Sequence, residues 1–531
     1  MTCAVQSTTP VASPIRGFTA PFPQGYRASG VLLHVTSLPS PYGIGDVGPA
    51  AFAWVDRLVA AGQAWWQVLP LGPTGLGHSP YQALSSFAAN PLVLSPDKLR
   101  EEGLVDAADL GVGSFAQDYV DFDRVIPFKE RLLAQAWQNF RHGKGGHLRA
   151  AFEQFREEKG RWQDAPALFM GLRAKFKGAP FLEWPAALVR RQPDALARAR
   201  RETSEAMDCF RFGQFLVLRH WQELKEYANQ RGVRLLGDLP IFVSPDSADV
   251  WANPELFLLD EQAKPRFVAG VPPDYFSAQG QLWGNPLYDW AALRQAGYQW
   301  WIDRLRARLD YLDAIRIDHF RGFEAAWHVP AGAATAQAGQ WRPGPGADFF
   351  NQLERSLEGL PLLAEDLGII TPAVTSLREQ FHLPGMRVLQ FAFNGDPNNP
   401  HLPYQYALNS VVYTGTHDND TSRGWYDSLP DQERRNFWSY AGHAQGEPEE
   451  AVWELIQMAC SSGAALAVTP LQDLLGLGSA ARMNVPGRPE GQWRWRAPAD
   501  DAGTEAAFQR LRELTETSDR LAGRDSLEKP D

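Results

Sequence analysis

Cysteine is scarce in this 531-residue chain, which contains only Cys3, Cys209 and Cys460. The three are scattered and odd in number, so they predict neither a disulfide framework nor a cysteine-based metal site. Such sparing use of cysteine fits a reducing compartment. We therefore expect a cytoplasmic protein without a bound metal.

Long apolar runs and a basic excess are also absent. No window of about 18 or more residues is apolar and uncharged, so no membrane span is expected. The first residues lack the basic and apolar regions of a secretory signal, and we interpret residues 1–27 as a flexible tail. The formal net charge is −11, whereas nucleic acids and anionic membranes bind basic surfaces. Neither is an expected partner.

Several motifs that identify enzyme classes are missing as well. The sequence contains no G-x-S-x-G nucleophile elbow, no Walker-type G-x-x-x-x-G-K, and no H-E-x-x-H or C-x-x-C. The loop that begins with DNDTSRG at Asp418 has no glycine at its sixth position and no glutamate at its twelfth, both of which an EF-hand loop needs. Serine-triad acyl transfer, phosphoryl transfer, zinc catalysis and EF-hand calcium binding therefore have no support.

Gly43, Gly45 and Gly48 form a G-x-G-x-x-G pattern after the apolar run GVLLHVTSLP. In a dinucleotide site such glycines turn the chain directly off a strand, and an acid about 20 residues further on binds the ribose. Here serines and prolines lengthen the loop, and the downstream segment AWWQVLPLGPTG contains no acid. We reject a nucleotide cradle and expect these loops to serve another ligand.

What the sequence does contain is an alternation of apolar runs and amphipathic helices. Eight runs are typical of strands: residues 30–37, 64–72, 233–243, 312–322, 361–368, 386–393, 409–420 and 463–475. Helical patterns such as YQWWIDRLRARLDYL lie between most of them. Strands that alternate with helices form parallel βαβ units. The predicted fold class is therefore α/β, a (β/α)8 TIM barrel whose active site lies at the C-terminal strand ends; the alternative is an open doubly wound sheet.

Long connections predict insertions into this barrel. Residues 97–231 are charged, helix-rich and too long for a connection, so we interpret them as a mainly helical subdomain between strands 2 and 3. Strands 1 and 2 then belong to residues 28–96, and strands 3 to 8 to residues 232–500. Further loop insertions are expected at the C-terminal mouth, including an aromatic lid at 269–290. Residues 501–531 are interpreted as a C-terminal helix and tail.

Three of the predicted strands end in acids: Asp318 in AIRIDH, Glu365 in LLAEDLG and Asp418 in YTGTHDN. In a barrel these ends converge on one mouth, so the three acids can face one ligand. Each acid alone could instead cap a helix or pair with an arginine. Arg316 precedes Asp318 by two residues, on the same side of the strand, and should keep that carboxylate ionised. An ionised carboxylate together with a protonated one is what glycoside chemistry requires.

His319 directly follows Asp318, and His417 directly precedes Asp418. They could donate hydrogen bonds to sugar hydroxyls or be satisfied side chains in the barrel wall, and the sequence leaves both open. Aromatic residues make up 12% of the chain, including 19 Trp. Most must lie in the core, but those in loops could stack on sugar rings.

Nine blocks of the sequence resemble the amylomaltase family, the 4-α-glucanotransferases or disproportionating enzymes of glycoside hydrolase family 77. They are LLHVTSLPSPYGIGDVG, WWQVLPLGPTG, SPYQALSSFAANP, GDLPIFV, GVPPDYFSAQGQLWGNPLYDW, AIRIDHFRGFEAAW, AEDLG, GTHDNDT and PLQDLLGLGSAARMNVPG. The resemblance extends in order from about Gly30 to Arg496. It implies a retaining double displacement on α-1,4-glucans without a cofactor, and it makes the glycine pattern part of the first barrel loop.

The resemblance also implies roles for individual residues. Asp318 corresponds to the catalytic nucleophile, Glu365 to the general acid/base and Asp418 to the acid that stabilises the transition state. The residues expected to bind substrate are Arg316, His319, His417, Asp238, Ser79, Tyr81, Tyr275, Phe276 and Trp283. For the aromatic residues among them, a place in the core is the alternative. Asn394 occupies a position that varies in the family, so we assign it no sugar contact.

The predicted function is transfer of a segment of an α-1,4-glucan donor to the 4-OH of another glucan or of glucose. An α-amylase-like hydrolase, with water as acceptor, is the alternative enzyme. A non-catalytic glucan-binding protein is the alternative outside enzymes. The lid is expected to favour transfer because it can exclude water. Whether the protein is a monomer or a homodimer is left open.

Overall fold

The computed structural model describes residues 18–111, 115–273, 278–488, 490–498 and 502–521. Within these residues, eight parallel strands close into a barrel and four others form a separate sheet. The strands in chain order are β1 (Ala28–Leu32), β2 (Trp65–Gln67), β3 (Arg234–Pro240), β4 (Phe267–Val271), β5 (Gln281–Pro286), β6 (Ala314–Asp318), β7 (Ala325–Pro330), β8 (Gln340–Pro343), β9 (Leu362–Ala364), β10 (Gly385–Val388), β11 (Ser410–Tyr413) and β12 (Leu466–Pro470).

Helices occupy most of the connections between these strands. In chain order they are α1 (Pro49–Ala60), α2 (Pro96–Glu101), α3 (Phe122–Arg141), α4 (Arg149–Lys175), α5 (Ala186–Val189), α6 (Pro193–Glu202), α7 (Ser204–Gln230), α8 (Ala248–Ala252), α9 (Trp290–Gln295), α10 (Gln299–Leu309), α11 (Gly346–Leu357), α12 (Pro372–Gln380), α13 (Ser422–Ser428), α14 (Asp431–Ala441), α15 (Pro448–Ser461), α16 (Leu471–Leu474) and α17 (Ala502–Thr517). None of the described helices combines the length and the apolar character needed to cross a membrane.

The barrel strands follow the order β1-β2-β3-β6-β9-β10-β11-β12, and β12 pairs with β1 to close the ring. Each overlaps one of the eight apolar runs predicted as strands. Every residue of β1 and of β12 is buried, because side chains fill the barrel inside and helices cover it outside. That double burial is why the strands are continuous apolar runs rather than alternating patterns.

The predicted TIM barrel with a large helical insertion between its second and third strands is confirmed. Helices α2 to α7 all lie between β2 and β3. The two longest, α4 and α7, have 27 residues each and pack against one another. The domain limits proposed from the sequence stay predictions.

A four-stranded antiparallel sheet, in the order β5-β4-β7-β8, lies outside the barrel. We did not identify it from the sequence, because β8 is largely exposed, β5 is exposed only at its first two residues, and neither strand has the apolar alternation of a half-buried strand. Strands β4 and β5 come from the region predicted as a lid. Residues 274–277, between these two strands, lie outside the described residues.

The C-terminal part of the chain secures the barrel seam. Arg520 is fully buried, and its guanidinium donates hydrogen bonds to the carbonyl oxygens of Ala28 at 2.8 Å, Ala464 at 2.8 Å and Ser462 at 2.9 Å. These carbonyl groups lie at or just before the start of β1 and β12. One side chain after the last helix therefore joins the two strands that close the barrel.

The G-x-G-x-x-G segment forms a tightly packed loop. A Cβ atom at Gly45 would lie 2.0 Å from the carbonyl oxygen of Val35, and Gly43 has a positive φ of 79°. Both positions therefore need glycine so that the loop can close against the end of the first strand. The glycines are explained by packing rather than by a nucleotide.

Candidate active site

Four acids lie at the C-terminal ends of barrel strands. Asp238 is in β3, Asp318 is the last residue of β6, Glu365 directly follows β9, and Asp418 lies in the loop after β11. Because β3, β6 and β9 are neighbours in the barrel, the first three acids share one side of the mouth. Asp418 approaches from the other side, beyond β10.

The guanidinium of Arg316 binds two of these acids. Its Nη1 atom donates to both carboxylate oxygens of Asp238 at 2.8 Å and lies 3.0 Å from Oδ1 of Asp318. The register of β3 and β6 places Asp238 opposite Arg316, and the two-residue spacing puts Asp318 on the same face. The side chain of Asp238 is fully buried, whereas that of Asp318 is 28% exposed. Asp318 is therefore the partner that reaches the open mouth.

Arg316 keeps its positive charge although its side chain is buried. Burial lowers the pKa of Arg316, but Asp238 and Asp318 outweigh it and raise that pKa above its ordinary value. Burial raises the pKa of Asp238, and Arg316 opposes the shift. The Tyr81 hydroxyl adds a hydrogen bond to Oδ2 of Asp238 at 2.8 Å. Together these donors satisfy a buried carboxylate, and a fixed cation remains beside Asp318.

Glu365 lies in a different environment. It is 8% exposed, and its two carboxylate oxygens accept the backbone N–H groups of His319 at 2.6 Å and Leu367 at 2.8 Å. Burial raises the pKa of Glu365 to about 8, with a further rise from Asp318, although Arg316 and the two N–H groups oppose it. A carboxyl group of this kind holds a proton near neutral pH and can donate it.

His319 connects Glu365 with the aromatic wall of the site. Its backbone is left-handed, with φ 52°, and its N–H points to Glu365. Its ring packs edge-on against Trp283, with centroids 4.8 Å apart. Burial lowers the pKa of His319 to about 4, so the ring is neutral near pH 7. Its buried Nε2 atom has no hydrogen-bond partner within the described structure, and such an atom is suited to a ligand hydroxyl.

On the opposite side, Asp418 is held by an imidazole, by an amide and by a contact to its backbone. Its side chain is 45% exposed, and Nε2 of His417 lies 3.4 Å from Oδ2. The Asn484 amide donates to Oδ1 at 2.6 Å, and Arg482 donates to the backbone carbonyl of Asp418 at 2.6 Å. The loop that follows β12 therefore orients this acid.

Tyr81 joins the two sides of the mouth. Its hydroxyl binds Asp238, and its ring lies nearly parallel to that of His417, with centroids 5.1 Å apart. Trp493 packs beside it at 5.6 Å. Ser79 accepts the backbone N–H of Tyr81 at 3.2 Å through its hydroxyl oxygen. The loop after β2 thus supplies an aromatic surface between the acids.

A sequence model of glycoside hydrolase family 77, described as 4-alpha-glucanotransferase, matches residues 33–501. The chain belongs to this family. It is 49% identical to the 4-alpha-glucanotransferase of Synechocystis sp., over 89% of this chain and 94% of that one. It is 46% identical to that of Thermus thermophilus, over 93% and 99%. An amylomaltase from Streptococcus agalactiae, solved in complex with acarbose, superposes with a TM-score of 0.89 at 36% identity, over 93% of this chain and all of that one.

The predicted family and its enzyme class, 4-α-glucanotransferase, are therefore confirmed. The structure of this family 77 member brings together most of the residues predicted for its site. Contacts at the mouth connect Asp238, Arg316, Asp318, His319, Glu365, His417, Asp418, Ser79, Tyr81 and Trp283. Tyr275 and Phe276 lie outside the described residues. Asn394 accepts the backbone N–H of Asp396 in its own loop at 3.0 Å.

Three residues at the site were not singled out from the sequence: Arg482, Trp493 and Asn484. Asn484 is the one that binds a catalytic side chain. It lies 66 residues from the acid that it binds, and no acidic motif marks its position. Its only signal was its place in the block PLQDLLGLGSAARMNVPG, which resembles the family. In the described part of the chain, no group of three or more His, Cys, Asp and Glu side chains is arranged to hold a metal ion.

Proposed function

We propose that this enzyme moves segments of α-1,4-glucan from maltooligosaccharide, starch or glycogen chains to the 4-OH of another glucan or of glucose. The observation that carries the proposal is the contrast between Asp318 and Glu365. Asp318 is partly exposed beside a fixed guanidinium, whereas Glu365 is buried with a raised pKa. Retaining glycoside chemistry needs one carboxylate as nucleophile and one protonated carboxyl group as acid.

In the first half-reaction, Glu365 gives its proton to the glycosidic oxygen while a carboxylate oxygen of Asp318 attacks the anomeric carbon. The bond between that carbon and the glycosidic oxygen breaks, and the reducing-end fragment leaves with the proton. A covalent glucanyl ester on Asp318 remains. Glu365 is now ionised, the form that the N–H groups of His319 and Leu367 stabilise.

In the second half-reaction, Glu365 acts as the base. It takes the proton of the incoming 4-OH, whose oxygen attacks the anomeric carbon and displaces Asp318. Two inversions give net retention at that carbon. An acceptor sugar yields transfer, and water yields hydrolysis.

The remaining residues at the mouth supply electrostatic stabilisation and sugar contacts. Asp418 places a negative charge where the sugar ring becomes oxocarbenium-like. Arg316, itself bound to Asp238, holds the nucleophile in position. His417 and Tyr81 form the wall of the same subsite. The unpartnered Nε2 atom of His319 is available to a substrate hydroxyl.

Water exclusion is assigned to the predicted lid at residues 269–290. Trp283, on β5, contacts the ring of His319 and so lies next to the acid/base residue. We propose that Trp283, with Tyr275 and Phe276, contacts donor or acceptor sugars and limits the access of water to the ester. No cofactor takes part in either half-reaction. A cytoplasmic location and a monomeric or homodimeric state stay predictions.

The deciding experiment is incubation of the purified protein with maltotriose alone, followed by chromatography of the products. Glucose together with maltopentaose and longer chains is the expected result. Conversion of maltotriose to maltose and glucose alone, with no longer products, would establish a hydrolase and overturn the proposal. Binding of glucan without any conversion would establish a non-catalytic glucan-binding protein.

A further inference from the structure

Two tyrosines away from the catalytic acids expose their rings side by side. Tyr404, in the connection between β10 and β11, is 61% exposed and is the most exposed aromatic side chain among the described residues. Tyr440, near the end of α14, is 38% exposed. Their ring centroids lie 6.4 Å apart, and the ring planes differ by 25°. We call this pair of rings the tyrosine platform.

Both rings are anchored by contacts outside this shared surface. The Tyr404 hydroxyl donates to the backbone carbonyl of Pro397. Tyr440 packs against Phe393, with centroids 5.8 Å apart, and Phe393 packs edge-on against Phe437 at 5.0 Å. Anchored aromatic rings lose little conformational entropy when a ligand binds, so they are efficient binding surfaces.

The surroundings of the platform are polar and have no excess of basic side chains. The segment 391–406, FAFNGDPNNPHLPYQY, contains one acid, one histidine and no lysine or arginine. On the neighbouring helix α14, Asp431 and Glu433 balance Arg434 and Arg435 in number, and Arg434 lies 3.9 Å from Asp431. Aromatic faces among amide side chains suit a neutral polyol with flat C–H faces and hydroxyl groups. They do not suit a nucleic acid or an anionic membrane, which need a basic surface.

Hydrogen bonds connect the platform to the catalytic mouth. The Gln390 amide, just after β10, donates to the carbonyl of Asp420 at 2.9 Å and to the hydroxyl of Ser422 at 3.4 Å. Asp420 belongs to the loop that carries Asp418. Asn436 of α14 donates to the carbonyl of Phe393 at 3.1 Å. The loop after β10, helix α14 and the Asp418 loop therefore form one connected rim.

We propose that the tyrosine platform is a second glucan-binding surface, which holds a remote part of a long α-1,4-glucan while another part occupies the mouth. The choice of ligand rests on the proposed function. Attachment at two places raises the effective concentration of chain ends at the mouth. The platform therefore favours long glucans and contributes nothing to the reaction of maltotriose.

The test is affinity electrophoresis in native gels cast with amylopectin. Turnover is blocked by Asp318→Asn, and the double substitution Tyr404→Ala and Tyr440→Ala is compared with this parent. We expect the apparent dissociation constant to rise about two- to tenfold. In the otherwise wild-type enzyme, the same double substitution should raise KM for amylose and leave maltotriose turnover unchanged. Tyr119→Ala, which removes an exposed tyrosine elsewhere, should behave as its parent.

Retardation of the double variant equal to that of its parent would overturn the platform proposal. A changed oligomeric state on size exclusion, with retardation unchanged, would assign the rings to contacts between copies of this chain and would also overturn it. Weaker retardation in a protein that does not convert maltotriose would support the platform while the proposed function fails. The two proposals are therefore tested separately.

Discussion

The two sides of the barrel mouth hold their acids by different means. At the ends of β3, β6 and β9, Asp238 and Asp318 bind a buried guanidinium, that of Arg316, and Glu365 is buried beside them. Beyond β10, Asp418 is 45% exposed and is oriented by an amide and by contacts to its own backbone.

The two halves therefore differ in how strongly their charged groups interact. In the buried half, burial and neighbouring charges shift the pKa values of Asp238, Arg316 and Glu365, because water is largely excluded and charges interact strongly. In the exposed half, solvent screens the charges around Asp418, and its partners orient the carboxylate. Damage to the buried half should therefore spread through the network, while damage to the exposed half should stay local.

The largest expected effect comes from Asp318→Asn, which should lower transfer activity by at least about a thousandfold. An amide cannot form the covalent ester, and the remaining buried groups keep their partners. Product formation from maltotriose and a thermal unfolding curve measure the two consequences. Near wild-type turnover would show that Asp318 is not the nucleophile.

Glu365→Gln should reduce transfer from maltotriose by about 10²- to 10⁴-fold. The amide cannot protonate the glycosidic oxygen. With α-maltosyl fluoride, whose leaving group needs no proton, the first half-reaction should be much less impaired. Asp318→Asn is the matched control, since it should fail with both donors. Equal impairment of Glu365→Gln with both donors would contradict the acid role.

Arg316→Met and Asn484→Ala compare the two halves directly. Removal of the buried guanidinium leaves Asp238 without its cation and should lower the free energy of unfolding by about 3–5 kcal/mol. Loss of the amide beside an exposed carboxylate should cost about 1 kcal/mol or less. Urea unfolding measures both values. Similar losses would remove the distinction between the two halves.

The pKa of Glu365, raised to about 8, predicts that kcat/KM falls about tenfold per pH unit above that value.

The stability of the folded protein should also depend on the ionisation of Glu365. Its pKa is higher in the folded protein than the ordinary 4.5, so the folded state binds the proton more tightly than the unfolded chain. This contribution to stability is full below about pH 4.5 and is lost as the pH rises through about 8. Between pH 5 and 9, the melting temperature should fall less steeply for Glu365→Gln than for the wild-type enzyme. Parallel melting curves for the two proteins over this range would refute the prediction.

The smallest expected effect concerns Trp283→Ala. Among the described residues, Trp283 is half-buried beside His319 and makes no contact with the ion pairs of Arg316. Loss of its ring should raise the ratio of hydrolysis to transfer about two- to tenfold, because acceptor sugars lose an aromatic contact and water gains access. Quantification of glucose and maltopentaose from maltotriose gives the ratio. An unchanged ratio would remove Trp283 from the control of water.

The sequence by itself determined the barrel and the candidate acids. Parallel strands are buried on both faces, so they appear as apolar runs that local pattern can reveal. The acids follow those runs directly, and the spacing of Arg316 and Asp318 fixes their shared face. Resemblance to the family then predicted a role for each acid.

The tertiary structure alone decided which distant groups meet. The bond between Arg316 and Asp238 joins residues 78 positions apart, and Asn484 reaches Asp418 across 66. The raised pKa of Glu365 comes from burial, and the tyrosine platform from the packing of a loop on α14. Strands β5 and β8 of the four-stranded sheet likewise left no apolar alternation in the sequence. Burial and long-range electrostatics depend on how segments pack, whereas periodicity and spacing are local properties of the chain.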